Sequence, residues 1–80
     1  MNEHDARAAV YAAISQVAPD VGTDGLDDRS RLRQDLELDS LDFLALVEHL
    51  ARHAGVDVPE SDYGRVGTVA ALIAYVAEHA

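Results

Sequence analysis

Cysteine is absent from this 80-residue chain, which rules out disulfide staples and thiolate metal sites and leaves it without a thiol of its own. Lysine is absent as well, because all six basic residues are arginines. Aromatic side chains are few (Phe43, Tyr11, Tyr63 and Tyr75), so the core must be packed by Leu, Val, Ile and Ala. No apolar run approaches the length of a membrane span, and the polar start Met1-Asn2-Glu3-His4-Asp5 does not read as a signal peptide. A cytoplasmic chain that makes no stable membrane insertion is therefore expected. Positive charge is also in short supply: fifteen acidic residues against six basic ones give a formal charge of −9. Such a surface repels nucleic-acid phosphates and anionic membranes and steers toward basic patches on other proteins.

What is present is helical periodicity. The length allows one domain, residues 1–80, near the lower limit for an unstapled core. Ala6, Ala9, Val10, Ala13, Ile14 and Val17 form one stripe, predicting a first helix over about 4–18 that stops before Pro19. Residues 19–38 hold a proline, two glycines and six acidic residues and read as a long loop anchored by Leu26, Leu32 and Leu36, with a helical turn around 30–34. Phe43, Leu46, Val47, Leu50 and Ala54 form the stripe of a second helix over about 40–54. Asp39 and Asp42 are spaced as a capping box at its start, and Gly55 follows its end. A short helical turn over about 60–65 and a last helix over about 68–79 complete the chain, with Thr68 as N-cap and Val69, Leu72, Ile73 and Val76 inward. The expected fold class is all-α: a small bundle of three to four helices with a long first loop, monomeric.

Several chemistries are excluded by residue type and spacing. A calcium loop starting at Asp20 would have Gly22 at its third position and Arg31 at its twelfth, where a bidentate carboxylate is needed; solvated turn residues are expected there instead. His49 and His53 share a helix face, but two histidines do not close a zinc site, and no metal site is expected. Ser40 lacks a catalytic setting. The nearest histidine, His49, lies nine residues on, about 13 Å along a helix, and the glycines of a nucleophile elbow are missing. No catalytic residue is assigned. Yet Ser40 is more than a helix-start residue. Asp39 already caps the helix, a hydroxyl at the first helical position points outward, and Leu38 and Leu41 cannot both join the buried stripe, so one of them faces solvent or a partner.

These residues resemble a family, the acyl carrier proteins. Asp39-Ser40-Leu41 followed by Asp42 matches the family's signature at the start of its second helix, with Asp35-Leu36 upstream. Gly55-Val56-Asp57-Val58-Pro59 is similar to the family's connection to its third helix, and Thr68 through Val76 to its closing helix. The resemblance implies that Ser40 is the covalent attachment point for 4′-phosphopantetheine, delivered from coenzyme A by a phosphopantetheinyl transferase with magnesium. It further implies a carrier that shuttles thioester-bound acyl groups among acyl-loading, condensing or transferase enzymes with basic docking patches. Asp35, Asp39, Leu41, Asp42 and Glu48 are the positions expected to meet those patches. Because Asp39 and Asp42 oppose the charge of a phosphodiester, the arm is expected to point away into solvent or a partner.

The departures point to a specialist. Glu37 stands where the family usually has glycine, and Leu38 where it usually has a small residue. Ala45 and Ala51 are neutral, and His49, Arg52 and His53 give the far half of the second helix neutral or positive character. Glu48 occupies a position where such carriers often have an apolar contact. These substitutions favour a polyketide, specialised lipid or other dedicated pathway over housekeeping fatty acid synthesis. An aminoacyl or peptidyl carrier and an unmodified helical adaptor of the same fold remain the alternatives.

Overall fold

The structure is a computed structural model and describes residues 1–20 and 26–80. Asn2 starts the first helix, accepting a hydrogen bond from the Asp5 amide at 2.7 Å, and Glu3 and Asp5 place negative charge in the first turn, where the helix dipole favours it. This helix, α1, spans Glu3–Val17 and buries Ala6, Val10, Ala13 and Ile14. Ala18 leaves helical geometry (φ −138°, ψ 69°) because the following Pro19 disfavours the α conformation in the residue before it. The turn expected at residues 21–25 lies outside the described residues.

The second helix, α2, spans Ser40–His53 and buries Phe43, Leu46, Val47 and Leu50. Ala54 is its C-cap, and Gly55 after it takes the left-handed conformation (φ 70°) that only glycine adopts without steric cost. A 3-10 helix spans Glu60–Arg65, and α3 spans Val69–His79. Thr68 is the N-cap of α3, accepting from the Ala71 amide at 3.1 Å. The fold class is the all-α bundle expected, and among the described residues the only β pairing is an isolated antiparallel bridge between Arg31 and Thr68.

In the principal helix pairings, α1 packs against both α2 and α3. The space between α2 and α3 is bridged by the 3-10 helix, where Phe43 and Tyr63 meet edge to face with centroids 5.0 Å apart. Tyr75 is almost fully buried and donates its hydroxyl to Asp62 at 2.7 Å, so the phenol has the partner that burial demands.

The first loop is tied down by backbone as well as by leucines. Leu32 is fully buried, Leu36 nearly so, and Leu26 packs against the core from its edge. The Leu32 amide donates to the Gly67 carbonyl at 2.9 Å, and the Val69 and Ala70 amides donate to the Ser30 and Asp28 carbonyls at 3.0 and 2.8 Å. The orphan donors at the start of α3 are thus satisfied by the loop. Asp28 also takes a two-pronged ion pair from Arg7 of α1, with the Nη2–Oδ2 contact at 2.8 Å and Nη1 bonded to Oδ1. One loop residue therefore ties α1 and α3 together.

Candidate functional site

The residues that build the site follow one another through the chain reversal before α2. Leu36 and Leu38 are both buried, the latter 3% exposed, while Glu37 between them is exposed. Glu37 itself adopts the left-handed conformation, at φ 58°. This is the position expected to differ from the family by lacking glycine, and its backbone keeps the geometry that favours glycine, at a cost of order 1 kcal/mol for a residue with a Cβ. Asp39 is extended (φ −85°, ψ −176°) and begins α2.

The capping box is complete. Asp39 Oδ1 accepts from the Asp42 amide at 2.8 Å, and Asp42 Oδ2 accepts from the Asp39 amide at 3.4 Å. Both carboxylates are therefore held in place beside the first turn. Leu41 lies two residues from Phe43, about 200° round the helix at 3.6 residues per turn, and with the stripe buried it must face outward; it is 76% exposed. Of the two leucines flanking the serine, Leu38 goes in and Leu41 stays out. Leu44 is 43% exposed, so the start of α2 presents two apolar side chains beside two carboxylates.

Ser40 is exposed in the first turn. It shares a helix face with Phe43 and Leu44, three and four residues on, and with them lines a groove of about 390 Å³ completed by Arg33, Glu60 and Tyr63. Its hydroxyl oxygen accepts a hydrogen bond from Arg33 Nη2 at 3.1 Å. Arginine donates only and does not lose its proton in proteins, so this partner holds the hydroxyl without activating it. Among the described residues, the side-chain bond found at Ser40 Oγ is this one from Arg33.

The other expected contact residues fall into two settings. Glu48 is exposed about 12 Å farther along α2, eight residues at 1.5 Å each, and stands 4.0 Å from Arg52. Asp35 is exposed in the loop but already engaged: Arg31 grips it through Nε at 3.2 Å, Nη2 at 3.1 Å and its backbone amide at 2.8 Å. These bonds, the side-chain ones foremost, hold the Asp35 carboxyl below the usual carboxylate range. At the far end of α2 the His49 and His53 rings lie 4.2 Å apart. Partial burial, followed by the charges of His53 and Arg52, pushes the His49 pKa below the usual histidine value. Among the described residues no group of three or more His, Cys, Asp or Glu side chains is arranged to hold a metal, and no helix is long and apolar enough to cross a membrane.

Sequence reasoning placed Asp39, Ser40, Leu41 and Asp42 around one helix start, and the structure brings these four together. It missed Arg33, Glu60 and Tyr63. Arg33 precedes the serine by seven residues in a loop without periodicity, and the other two come from the 3-10 helix twenty or more residues later, so only the folded chain assembles them.

Comparison with known proteins agrees with this arrangement. A family model described as "Phosphopantetheine attachment site" matches residues 8–76. The acyl carrier protein of Rubrobacter xylanophilus is 30% identical over 76 residues, covering 91% of this chain and 94% of the relative. That of Chlorobium luteolum is 33% identical over 76 residues, covering 95% and 96%, and that of Zymomonas mobilis is 32% identical over 59 residues, covering 74% and 76%. With its exposed helix-start serine and a match over most of its length, the chain belongs to the acyl carrier protein family of phosphopantetheine-binding domains. Its cofactor is accordingly a covalently attached 4′-phosphopantetheine, and its role is that of a carrier rather than a catalyst.

Proposed function

We propose that Ser40 bears the 4′-phosphopantetheine arm and that residues 1–80 act as one acyl carrier domain passing thioester-bound intermediates between enzymes. The observation that carries this reading is the state of the Ser40 hydroxyl: exposed in the first turn of α2, flanked by Asp39 and Leu41, and bonded to an arginine that cannot take its proton. A serine so placed is a poor nucleophile by itself and a good substrate for an enzyme that brings the base. A phosphopantetheinyl transferase with magnesium and coenzyme A supplies that activation.

The residues present fit the group. The first turn of α2 offers amide hydrogens and the positive end of the helix dipole to a phosphodiester, and the groove beside Ser40 has room for the start of the arm. The bound group supplies the thiol that this cysteine-free chain lacks.

Partner enzymes are read as meeting the start of α2. Asp39 and Asp42 are fixed by their reciprocal hydrogen bonds and offer a preset pair of negative charges to a basic patch. Leu41 supplies an exposed apolar contact between them. Glu48 and Asp35 contribute less, since Arg52 and Arg31 stand against them. Charge complementarity of this kind governs encounter rate and partner choice more than affinity, which suits brief serial contacts. The far half of α2, with His49, Arg52 and His53, does not continue the acidic face. This supports dedicated partners in a polyketide, specialised lipid or related pathway.

The test is an intact mass. Incubation with a broad-specificity transferase, coenzyme A and magnesium should add one phosphopantetheine to the wild type and none to Ser40→Ala. A wild type left unmodified by several transferases overturns the reading.

A further inference from the structure

The sequence led to an arm repelled by Asp39 and Asp42 and pointing into solvent or a partner. The structure adds a cation on the other side of the serine. Arg33 Nη2 stands 3.1 Å from Ser40 Oγ, on the groove that Ser40 shares with Phe43, Leu44, Glu60 and Tyr63. Asp42 lies two residues beyond Ser40, about 200° round the helix. The serine therefore has negative charge on one side and a guanidinium on the other.

We propose that Arg33 is the phosphodiester-binding residue of this carrier, holding a non-bridging phosphate oxygen once Ser40 is loaded and drawing the start of the arm to its own side of α2. The inference rests on the assignment of the arm to Ser40. In the unmodified chain the guanidinium donates to a hydroxyl oxygen. Esterification leaves that oxygen a weak acceptor and places a full negative charge on the two non-bridging oxygens, two bonds farther out across the phosphorus. A donor already at hydrogen-bond distance from Oγ reaches them by a small side-chain adjustment, and the guanidinium fork suits two phosphate oxygens at once.

No carboxylate among the described residues is paired with Arg33. Among the described residues Arg7, Arg31, Arg52 and Arg65 each stand within 4.0 Å of a carboxylate, whereas the hydrogen bond found for Arg33 goes to Ser40. The groove's other charged residue among those described, Glu60, has the same sign as the phosphate, so among the described residues the guanidinium is its one attractive charge. In a chain of net charge −9, an arginine held against an uncharged hydroxyl is placed for an anion that arrives later.

The experiment compares unloaded and loaded protein, with loading verified by mass. In wild type labelled at arginine nitrogen, loading should shift the Arg33 Nε–H resonance. Loading should also raise the thermal midpoint at low salt, and the rise should shrink as salt screens the pair. In Arg33→Gln the rise on loading should vanish or reverse and the phosphorus resonance of the phosphodiester should move; Arg33→Lys should keep part of the rise. Comparing the change on loading within each variant cancels the effects of the substitution common to both states, while the Arg33–Ser40 bond of the unloaded wild type makes its rise a lower bound on the phosphate contact. An Arg33 resonance unmoved by loading in wild type overturns the inference without recourse to any variant, as does a loaded Arg33→Gln with the wild-type phosphorus resonance and midpoint rise. A wild type that takes no arm overturns the Ser40 assignment itself, whereas a loaded wild type with an unresponsive Arg33 overturns this inference alone.

Discussion

The starts of α2 and α3 pose the same physical problem and solve it in opposite ways. Each leaves backbone amides without intrahelical partners. At α3, Thr68 takes one amide and the carbonyls of Asp28 and Ser30 take two more, so the first loop closes over the helix end. At α2, Asp39 and Asp42 take two amides from within four residues, without a cap from a distant segment. That local solution leaves Ser40 and Leu41 open to solvent. A helix end that caps itself is free to be a site, whereas one capped by distant chain becomes part of the scaffold.

The largest contrast should come from the leucines at the two ends. Leu32 is fully buried beside the start of α3, and Leu41 is 76% exposed at the start of α2. Leu32→Ala should cost about 2–5 kcal/mol in denaturant unfolding, a large share of the stability of so small a domain. Leu41→Ala should change stability by less than about 0.5 kcal/mol while slowing transfer to or from partner enzymes. Equal destabilisation by the two would erase the distinction between scaffold and site.

The caps come next. Thr68→Ala should lower unfolding free energy by about 1 kcal/mol and leave loading by the transferase at wild-type rates. Asp39→Asn should do the reverse, because asparagine caps as well as aspartate but removes a charge beside Ser40. Helicity should hold while loading slows. A Thr68→Ala variant that loads slowly would show that the two ends are coupled.

Glu37 offers a change of opposite sign. Its φ of 58° favours glycine, so Glu37→Gly should raise stability by about 1 kcal/mol or somewhat less, the relief of strain being offset in part by the freer unfolded chain. Chemical denaturation measures it, and a loss of stability would mean that the Glu37 side chain makes a compensating contribution.

The most local expectation concerns Asp28, whose carbonyl serves α3 and whose carboxylate serves α1. Hydrogen bonds from Arg7, more than the opposing effect of burial, hold its carboxyl below the usual range. A carboxylate whose pKa is lower folded than unfolded contributes stability above the unfolded value and loses it as pH falls through the folded value. Asp28→Asn should therefore weaken the fold at neutral pH and flatten the acid side of its stability profile below about pH 4. The same substitution should not alter loading at Ser40. An unchanged acid profile would show that the Arg7 pair contributes nothing measurable.

Much of both helix ends could be read in advance because their determinants are local. Asp39 and Asp42 are three residues apart, Thr68 immediately precedes its apolar stripe, and Gly55 ends α2 where a left-handed residue is needed. The inward stripes of Val10 and Ile14, of Leu46 and Leu50, and of Leu72 and Val76 repeat with the helical period. Helical spacing also separated Leu41 from the stripe, but whether Leu38 or Leu41 would be buried was left open. The folded chain decided it, with Leu38 3% exposed and Leu41 76%. Asp35 shows a related limit: an arginine four residues before it was visible, but in a loop that spacing implied no contact until the chain turned at 31–35 and closed the pair.

By itself, then, the sequence determined three amphipathic helices, the caps of the last two and an outward serine between two aspartates, since each rests on interactions reaching no more than about one helical turn. The tertiary structure alone decided what stands around that serine. The loop lies on α3 through bonds from Leu32, Val69 and Ala70, and that placement sets Arg33 against Ser40, while the 3-10 helix brings Tyr63 and Glu60 to the same groove. Contacts between segments seven to more than twenty residues apart depend on how the whole loop closes, and helical period carries no information about that.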